Sequence, residues 1–569
     1  MRQIIECVPN FSEGRDKGVI DQIVKAIASV EGVKVLDVDP GEATNRTVVT
    51  FVGSPEAVLE GAFQSVKKAG DVIDMRKHHG AHPRSGACDV LPLVPVSGIT
   101  LEECATLARG LAERIFTELG VPCYCYEAAA FKPERKNLAV CRTGEYEALP
   151  EKIADPARRP DFSPSEYNDT VARCGAINVG ARNFLVAVNY NLNTTSTRRA
   201  MAIAFDVREK GRKKREGGSL TGKVLKDKNG NDIWEPGTLM GCKAIGWYID
   251  EYGIAQVSMN ITDIVATPLH VAYEEVSRAA AARGLRVTGA EIVGLVPKSV
   301  LTDAGKFYLE RQQRSLGISE EEIMKIAVKS MSLDDLRPFN PREKVIEFLM
   351  EDPEAQAVKE RLIRMSLKGF AAETASESPA PGGGSISAYM GALGAALGTM
   401  VANLSAHKRG WDDRWKEFSD WAEKGQAIMN ELVGIVDEDT AAFDKIMAAF
   451  SLPKGNDEEK AARAAAIEDA TLCASLVPLR TMKASFKVFE LAKAMASDGN
   501  PNSVSDAGVG ALAARSAVLG ACLNVKINAV GLKDKAKAAG LIAEAEDLAA
   551  KAETEERIVM EIVNSKINE

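Results

Sequence analysis

The feature that most constrains the fold is the loss of every strand signal after residues 337–341, RPFNP. Before this point, β-branched runs alternate with helical patterns; after it, alanine dominates and apolar residues recur every three or four positions. We therefore expect an α+β chain with two α/β sandwich-like subdomains, followed by an all-α helical bundle. The first subdomain is predicted to contain strands at 3–8, 33–38, 47–52, 90–96 and 121–126 and helices at 17–30, 55–73 and 101–119.

The second subdomain begins near residue 183 and has the predicted order β-α-β-β-α-β. That order is typical of a ferredoxin-like unit. Residues 211–240, basic and then rich in turn residues, are expected to form an exposed insertion. The predicted boundaries are 1–184 and 185–350 for the two subdomains, 351–359 for a linker and 360–569 for the helical domain.

Composition argues against several classes of protein. With 71 Lys and Arg against 80 Asp and Glu, the net charge is −9, which does not favour binding to duplex nucleic acid. Ten scattered cysteines and a polar amino terminus without a secretory signal favour free thiols and a cytoplasmic location. Residues 378–407 carry no charge and are long enough to span a membrane, but their many small residues favour a buried bundle helix.

Three of the five histidines fall within RKHHGAHPRSG, as His78, His79 and His82. His78 and His82 have the spacing of helical zinc ligands, but the glycine and proline between and after them disfavour a shared helix face. No further metal-ligand motif accompanies them, so no metal is expected. The alternatives are a loop that presents a neutral imidazole for proton transfer and a loop whose histidines only cap backbone groups.

Two features of the helical domain stand out. The segment PAPGGGS contains Gly382, Gly383 and Gly384 at the start of the uncharged helix, where exposed backbone N–H groups suit an anion or a closely approaching ring. A plain linker is the alternative interpretation. Further along, Asp439 occupies a position on an otherwise apolar helical stripe. Burial would raise its pKa and make it a usable acid near neutrality, whereas a paired structural aspartate is the alternative.

The motifs ECVPNFSEGR, DVDPGEATNRTVVTFVG, RKHHGAHPRSGACDVLPLVPV and GEYEALPEKI resemble the transferase half of the bifunctional formimidoyltransferase-cyclodeaminase family. APGGGS, DEDTAAF and SDAGVGALAA resemble its cyclodeaminase half. The resemblance covers essentially the whole chain. It implies transfer of the formimino group from N-formimino-L-glutamate to N5 of tetrahydrofolate, followed by cyclisation to 5,10-methenyltetrahydrofolate with release of ammonia.

The resemblance also implies roles for individual residues. His82 is expected to be the acid and base of the transfer, and Asp439 the carboxylic acid of the cyclodeaminase. Arg84, from its charge and position, is expected to bind a substrate carboxylate. Further residues expected to bind substrate or folate are Asp39, Pro164, Ser165, Gly175, Gly180, Ala181, Gly382, Gly383 and Gly384.

The implied co-substrate is tetrahydrofolate, carrying a polyglutamate tail, and the implied assembly is a homo-oligomer in which dimers form a larger ring. Neither nucleic acid nor a membrane is expected as a partner. Two rival functions stay open on sequence alone. In the first, the amino-terminal half transfers a formyl group instead or acts on 5-formyltetrahydrofolate. In the second, the helical half is an oligomerisation domain without chemistry of its own.

Overall fold

The computed structural model describes residues 3–41, 45–79, 84–218, 222–250, 252–350 and 359–568. These residues form two compact units. The first contains Met1–Val300 and Met331–Met350, and the second contains Leu301–Ser330 and Glu351–Glu569. The predicted mixed α/β region followed by a helical region is confirmed. The predicted domain boundaries stay a prediction, and the segment Leu301–Ser330, which the sequence analysis gave to 185–350, belongs to the second unit.

The first sheet supports the amino-terminal subdomain. Its neighbouring strands are antiparallel except for β7, which lies parallel between β5 and β6. Apolar residues of one sheet face pack on three amphipathic helices, so the core lies between the sheet and this helical layer. The strands are β1 (Ile4–Cys7), β2 (Asn10–Phe11), β3 (Val33–Gly41), β4 (Arg46–Gly53), β5 (Cys88–Ser97), β6 (Cys123–Glu127) and β7 (Ile177–Ala181). The helices are α1 (Lys17–Ala28), α2 (Pro55–Val72) and α3 (Leu101–Leu119).

Local sequence signals explain where these helices begin. The Ser54 side chain accepts the N–H of Ala57, and a proline occupies the first turn of α2. At α3, Thr100 and Glu103 form a reciprocal capping box, and the helix ends at Gly120 in the left-handed conformation. The same unit also contains the short helices α4 (Leu138–Arg142), α5 (Leu149–Ala154) and α6 (Asp169–Cys174).

A second sheet of four strands forms the next subdomain. Its spatial order is β11-β12-β8-β13, and every neighbouring pair is antiparallel. Within the insertion, Trp234 pairs with Lys213 in a small two-stranded sheet. The elements are β8 (Val186–Leu192), α7 (Thr197–Val207), β9 (Arg212–Lys213), β10 (Trp234–Glu235), β11 (Cys242–Ile249), β12 (Ile254–Ile261), α8 (Leu269–Ala281) and β13 (Val287–Val293).

The second unit is helical in its described part. Alanines such as Ala388 and Ala395 are fully buried, so its long helices pack closely through small side chains. The helices of this unit and of the segments leading into it are α9 (Lys298–Arg311), α10 (Glu320–Ser330), α11 (Pro341–Lys344), α12 (Ile346–Leu349), α13 (Leu367–Thr374), α14 (Gly383–Ala406), α15 (Trp415–Ser451), α16 (Asp457–Phe486), α17 (Val488–Asp498), α18 (Val504–Ala529) and α19 (Lys535–Ile567).

Two helical segments are long and apolar enough to cross a membrane by length and composition, Gly383–Ala406 and Pro501–Ala529. Their most apolar stretches are 61% and 50% buried inside the chain. Core helices of a bundle have the same composition, because both environments require an apolar surface. The expected absence of a membrane span stays a prediction.

Candidate active sites

Buried polar contacts hold both flanks of the histidine-rich loop. Nε2 of His78 lies 3.0 Å from the backbone oxygen of Asn45, and the Asn45 side chain donates to the backbone oxygen of His79 at 3.0 Å. Nδ1 of His78 accepts the Nε–H of Arg84 at 3.4 Å. These partners require a proton on Nε2 and none on Nδ1, so the imidazole is neutral. Burial, with a contribution from the Arg84 charge, lowers the pKa of His78 and favours the same form.

His82 lies outside the described residues, together with the rest of 80–83. Its role as acid and base therefore stays a prediction. The described residues on either side, His78 and Arg84, contact each other directly. This contact, together with the Asn45 contacts to His78 and His79, fixes the two points from which the loop starts and ends.

Arg84 is occupied by neighbouring carboxylates. Its Nη1 lies 3.0 Å from Oε2 of Glu145 and 3.0 Å from Oε2 of Glu147, and its Nη2 lies 2.7 Å from Oε1 of Glu147. With Nε directed at His78, all three guanidinium nitrogens have acceptors. The predicted binding of a substrate carboxylate by Arg84 stays a prediction, and it would compete with these two glutamates.

A cavity of about 990 Å³ lies within the first unit, bounded by both of its sheets. Its size is within the range of cavities that bind small organic molecules. Five cationic side chains, three carboxylates and the ring of Tyr126 are among the lining groups. The charged lining residues are Arg46, Lys136, Arg142, Arg182 and Lys243, with Glu127, Glu145 and Asp263.

One of the residues predicted to bind folate lines this cavity, and a second packs against a side chain that lines it. Ala181 lines it, and Gly180 packs against the ring of Tyr126, which an added Cβ would approach to 2.5 Å. Gly175 has φ +72°, and a Cβ there would lie 2.2 Å from the backbone oxygen of Ser85. Glycine is therefore required at 175 and 180 by close packing within the protein itself. Their contact with folate stays a prediction.

The other predicted binding residues of the first unit lie elsewhere. Pro164 is half-buried and Ser165 is exposed, in the segment before α6. Asp39 is exposed on β3. None of the three is among the described residues that line the cavity. Their assigned roles stay predictions.

In the helical unit, Asp439 of α15 faces the beginning of α14. Its Oδ2 accepts the hydroxyl of Ser385 at 3.1 Å, and the backbone of Ser385 also donates to the carboxylate. Oγ1 of Thr440 lies 3.3 Å from the same hydroxyl. Burial raises the pKa of Asp439, opposed by the hydrogen bonds from Ser385, and no described cation contributes to its shift. The carboxyl therefore favours the protonated form more than an ordinary aspartate does.

The apolar stripe on which Asp439 lies becomes more exposed towards the end of α15. Leu432 and Ile435 are fully buried, whereas Phe443 and Phe450 are 38% and 51% exposed. Asp439 thus lies where the buried part of the helix gives way to an accessible part. Asp437 serves the structure instead, because it accepts the N–H groups of Leu362 at 2.8 Å and Ile363 at 3.2 Å.

The three glycines differ in their surroundings. Gly384 is buried beneath Asp439, whereas Gly382 and Gly383 are exposed at the start of α14. A Cβ at Gly383 would lie 3.2 Å from the side-chain nitrogen of Asn524 on α18. The start of α14 thus brings free backbone N–H groups, Asp439 and an amide side chain together. Contact of the glycines with substrate stays a prediction.

Sequence reasoning missed several polar residues of these sites. Ser385 directly follows the three glycines, yet only the fold shows that its hydroxyl meets Asp439. Arg46 lies in the DVDPGEATNR motif. No sequence pattern singles out Arg142, which lines the same cavity. Within the described ranges there is no group of three His, Cys, Asp or Glu side chains placed to hold a metal ion.

Three family models match the chain in succession. The Formiminotransferase domain, N-terminal subdomain, matches residues 4–182. The Formiminotransferase domain matches residues 187–351, and Formiminotransferase-cyclodeaminase matches residues 366–547. The matches therefore extend over both units.

Curated relatives show the same division. A formimidoyltransferase-cyclodeaminase of Mus musculus is 41% identical over 534 residues, which cover 94% of each chain. A glutamate formimidoyltransferase of Streptococcus pyogenes is 40% identical over 54% of this chain and 94% of its own. A methenyltetrahydrofolate cyclohydrolase of Methylorubrum extorquens is 41% identical over 203 residues, 36% of this chain and 98% of its own.

Proposed function

Because the chain belongs to the formimidoyltransferase-cyclodeaminase family, we propose that it carries out both reactions of that name. In the first, it transfers the formimino group from N-formimino-L-glutamate to N5 of tetrahydrofolate. In the second, it cyclises 5-formiminotetrahydrofolate to 5,10-methenyltetrahydrofolate and releases ammonia. The observation that carries the proposal is the 41% identity over 94% of both chains to a relative that bears both names.

In the transfer, the N5 lone pair attacks the formimino carbon to form a tetrahedral intermediate. His82 takes the proton of the attacking amine and returns one to the nitrogen of glutamate, which then leaves. Positioned proton transfer of this kind contributes about 10² to 10⁴-fold. The neutral His78 and its contacts with Asn45 and Arg84 support the proposal, because they hold the flanks of the loop without adding a charge to it.

In the cyclisation, N10 of the folate attacks the formimino carbon and the former imino nitrogen departs as ammonia. Both reacting groups belong to one molecule, so the site has to orient them and to protonate the leaving nitrogen. Asp439 is the proposed proton donor. Its raised pKa and its contact with Ser385 support this role, because a carboxyl that retains its proton nearer to neutrality is a better general acid.

The proposal extends to co-substrate, assembly and location. Tetrahydrofolate is the co-substrate, and a polyglutamate tail would help to retain it between the two reactions. Lys213 and Lys214 of the insertion are candidates to contact such a tail, although Lys213 already pairs with Asp232 at 2.6 Å. We further propose a cytoplasmic homo-oligomer of dimers arranged in a larger ring. Neither reaction calls for a metal, since the formimino carbon is already electrophilic.

We also propose that the four-stranded subdomain is a ferredoxin-like unit. The order β-α-β-β-α-β along the chain supports this assignment. So do the spatial strand order β11-β12-β8-β13 and its uniformly antiparallel pairings.

A spectroscopic assay tests the two-site proposal. Full-length protein is mixed with tetrahydrofolate and N-formimino-L-glutamate, and glutamate, ammonia and methenyltetrahydrofolate are followed together. We expect wild type to produce all three, His82→Ala to release no glutamate, and Asp439→Asn to release glutamate with ammonia slowed at least about 100-fold. If wild type used only a formyl donor, N-formimino-L-glutamate would not be the donor of this protein. Ammonia release unchanged in Asp439→Asn would favour a helical domain without chemistry of its own.

A second candidate reaction at Asp439 is hydrolysis of methenyltetrahydrofolate to 10-formyltetrahydrofolate. The 41% identity of this chain, over 203 residues, to the Methylorubrum extorquens cyclohydrolase favours it. In its ionised form, Asp439 would deprotonate a water molecule that attacks the same carbon. The measurement is the decay of added methenyltetrahydrofolate with wild type and Asp439→Asn. Equal decay with both proteins and with buffer alone would exclude this reaction.

A further inference from the structure

A buried carboxylate links two arginines at the large cavity of the first unit. Asp89, on β5, has a side chain only 2% exposed, and its Oδ2 accepts from Arg46 of β4 at 3.4 Å. The same oxygen accepts from Nη2 of Arg142, the last residue of α4. Both arginine side chains are 16% exposed, and both residues line the cavity.

Two guanidinium groups share the acceptors of this cluster. Oδ1 of Asp89 is already used by the N–H of Ser85 at 2.9 Å, and Arg46 also donates through Nε to the side-chain oxygen of Asn10 at 2.9 Å. Two guanidinium groups thus share one buried carboxylate. Nε of Arg142 is buried and has no acceptor among the described residues.

Two of the carboxylates that line the cavity interact with other cations. Burial lowers the pKa of Arg46, and the adjacent Arg142 acts in the same direction, as expected for two cations held together. Of the carboxylates that line the cavity, Glu145 is already paired with Arg84 at 3.0 Å. Glu127 interacts electrostatically with Arg182, Lys136 and Lys243 rather than with this pair.

We propose that Arg46 and Arg142, held by Asp89, bind a carboxylate of a glutamate group in the transferase substrates. The inference rests on the proposed function, under which both N-formimino-L-glutamate and tetrahydrofolate bring glutamate carboxylates to this unit. Planar guanidinium groups match a carboxylate with paired hydrogen bonds. Unlike Arg84, whose three nitrogens all have acceptors, Arg142 lines the cavity and shares its described carboxylate partner, Asp89, with Arg46.

The test compares KM and kcat for both substrates in Arg142→Gln, Arg46→Gln and wild type. We expect the KM of one substrate to rise about 10- to 100-fold while kcat changes less than about threefold, since a lost charge-assisted hydrogen bond weakens binding by that much. Arg142→Lys keeps the charge and should recover part of the affinity. Arg114→Gln is the matched control, because Arg114 pairs with Glu60 on the helical side of the sheet and does not line the cavity.

The choice of acceptor distinguishes the two sources of the carboxylate. Tetrahydropteroate lacks the glutamate of tetrahydrofolate. If the pair binds the folate glutamate, the KM difference between Arg142→Gln and wild type disappears with tetrahydropteroate. If it binds the donor, the KM of N-formimino-L-glutamate rises with either acceptor. A KM changed less than twofold for both substrates, or a loss of kcat alone, would overturn the proposal.

A binding measurement keeps this test independent of turnover. Calorimetric titration of L-glutamate into the full chain should give at least tenfold weaker binding to Arg142→Gln than to wild type. If wild type transferred no formimino group, the proposed function would fail while this comparison still stood. Equal affinity of wild type and Arg142→Gln, with unchanged thermal unfolding, would overturn the carboxylate site.

Discussion

A Cβ at Gly384 would lie 2.1 Å from Oδ1 of Asp439. No real Cβ tolerates that distance, so Gly384→Ala must displace the carboxyl or the start of α14. We expect the variant to slow ammonia release about 100-fold while transfer to N5 is retained. The measurement is the ratio of ammonia to glutamate released.

Gly434→Ala is the matched control for Gly384→Ala. Gly434 lies on the same helix as Asp439, and no described atom lies within 4 Å of a Cβ added there. Alanine is favoured over glycine inside a helix by up to about 1 kcal/mol. This control should keep full activity and unfold at a slightly higher temperature. Equal activity of both variants would contradict the close approach of Gly384.

The hydroxyl of Ser385 tunes Asp439 in a direction that kinetics can detect. Its hydrogen bond stabilises the carboxylate and lowers the pKa of Asp439 against the larger effect of burial. Ser385→Ala should therefore raise that pKa further. If the protonated form is the active one, the alkaline fall of ammonia release moves to higher pH in the variant. A shift to lower pH, measured from kcat against pH, would contradict this assignment.

Glu6 makes the stability of the first unit depend on pH. Burial, opposed by the charge of Arg182, raises the pKa of Glu6 to about 7. The unfolded chain has an ordinary Glu6 pKa near 4.5. The stability that Glu6 provides is present below that pH and is lost as the pH rises through about 7, because burial disfavours the ionised carboxylate in the folded state. The full loss is about 3 kcal/mol above neutrality.

Glu6→Gln should remove this pH dependence. The free energy of unfolding of the variant should be similar at pH 5 and pH 8, whereas that of wild type is lower at pH 8. Urea unfolding of both proteins at the two pH values is the measurement. Glu31→Gln is a suitable control, because Glu31 is exposed. A variant with the same pH dependence as wild type would show that Glu6 ionises without cost.

His78 is expected to make the stability depend on pH in the direction opposite to that of Glu6. Its folded pKa lies below its ordinary value of 6.5, chiefly because of burial. The stability it provides is present above about 6.5 and is lost as the pH falls through the folded value. Protonation would also place a cation against Arg84. His78→Gln should weaken this acid sensitivity and, because it removes one of the hydrogen bonds that hold Arg84, slow transfer by up to about tenfold.

The exposed neighbour His79 provides the control for this experiment. His79→Ala leaves its backbone oxygen available to Asn45 and should change neither quantity appreciably. The measurements are urea unfolding between pH 5 and 7.5 and the rate of glutamate release. Identical behaviour of the two variants would exclude a positioning role for His78.

Periodicity predicted the local structure well and the tertiary contacts poorly. The predicted helix at 101–119 is found at Leu101–Leu119, because its capping box and terminal glycine are local signals. The position of Asp439 on α15 was also readable, since helical spacing fixes a residue's face. By contrast, the meeting of Asp439 with Ser385 joins residues on different helices. The Arg46 and Arg142 pair likewise depends on tertiary packing around Asp89, which no spacing encodes.

The route of the chain limits how the protein can be divided. Leu301–Ser330 belongs to the helical unit, whereas Met331–Met350 returns to the first unit. In the helical unit, the N–H of Leu316 donates to Ser419 at 3.0 Å and Asn403 donates to the backbone oxygen of Gly317 at 2.8 Å. A gene cut at residue 350 therefore leaves Leu301–Ser330 on the fragment that carries the first unit. The helical fragment made this way would lack the contacts that Ser419 and Asn403 make with Leu316 and Gly317.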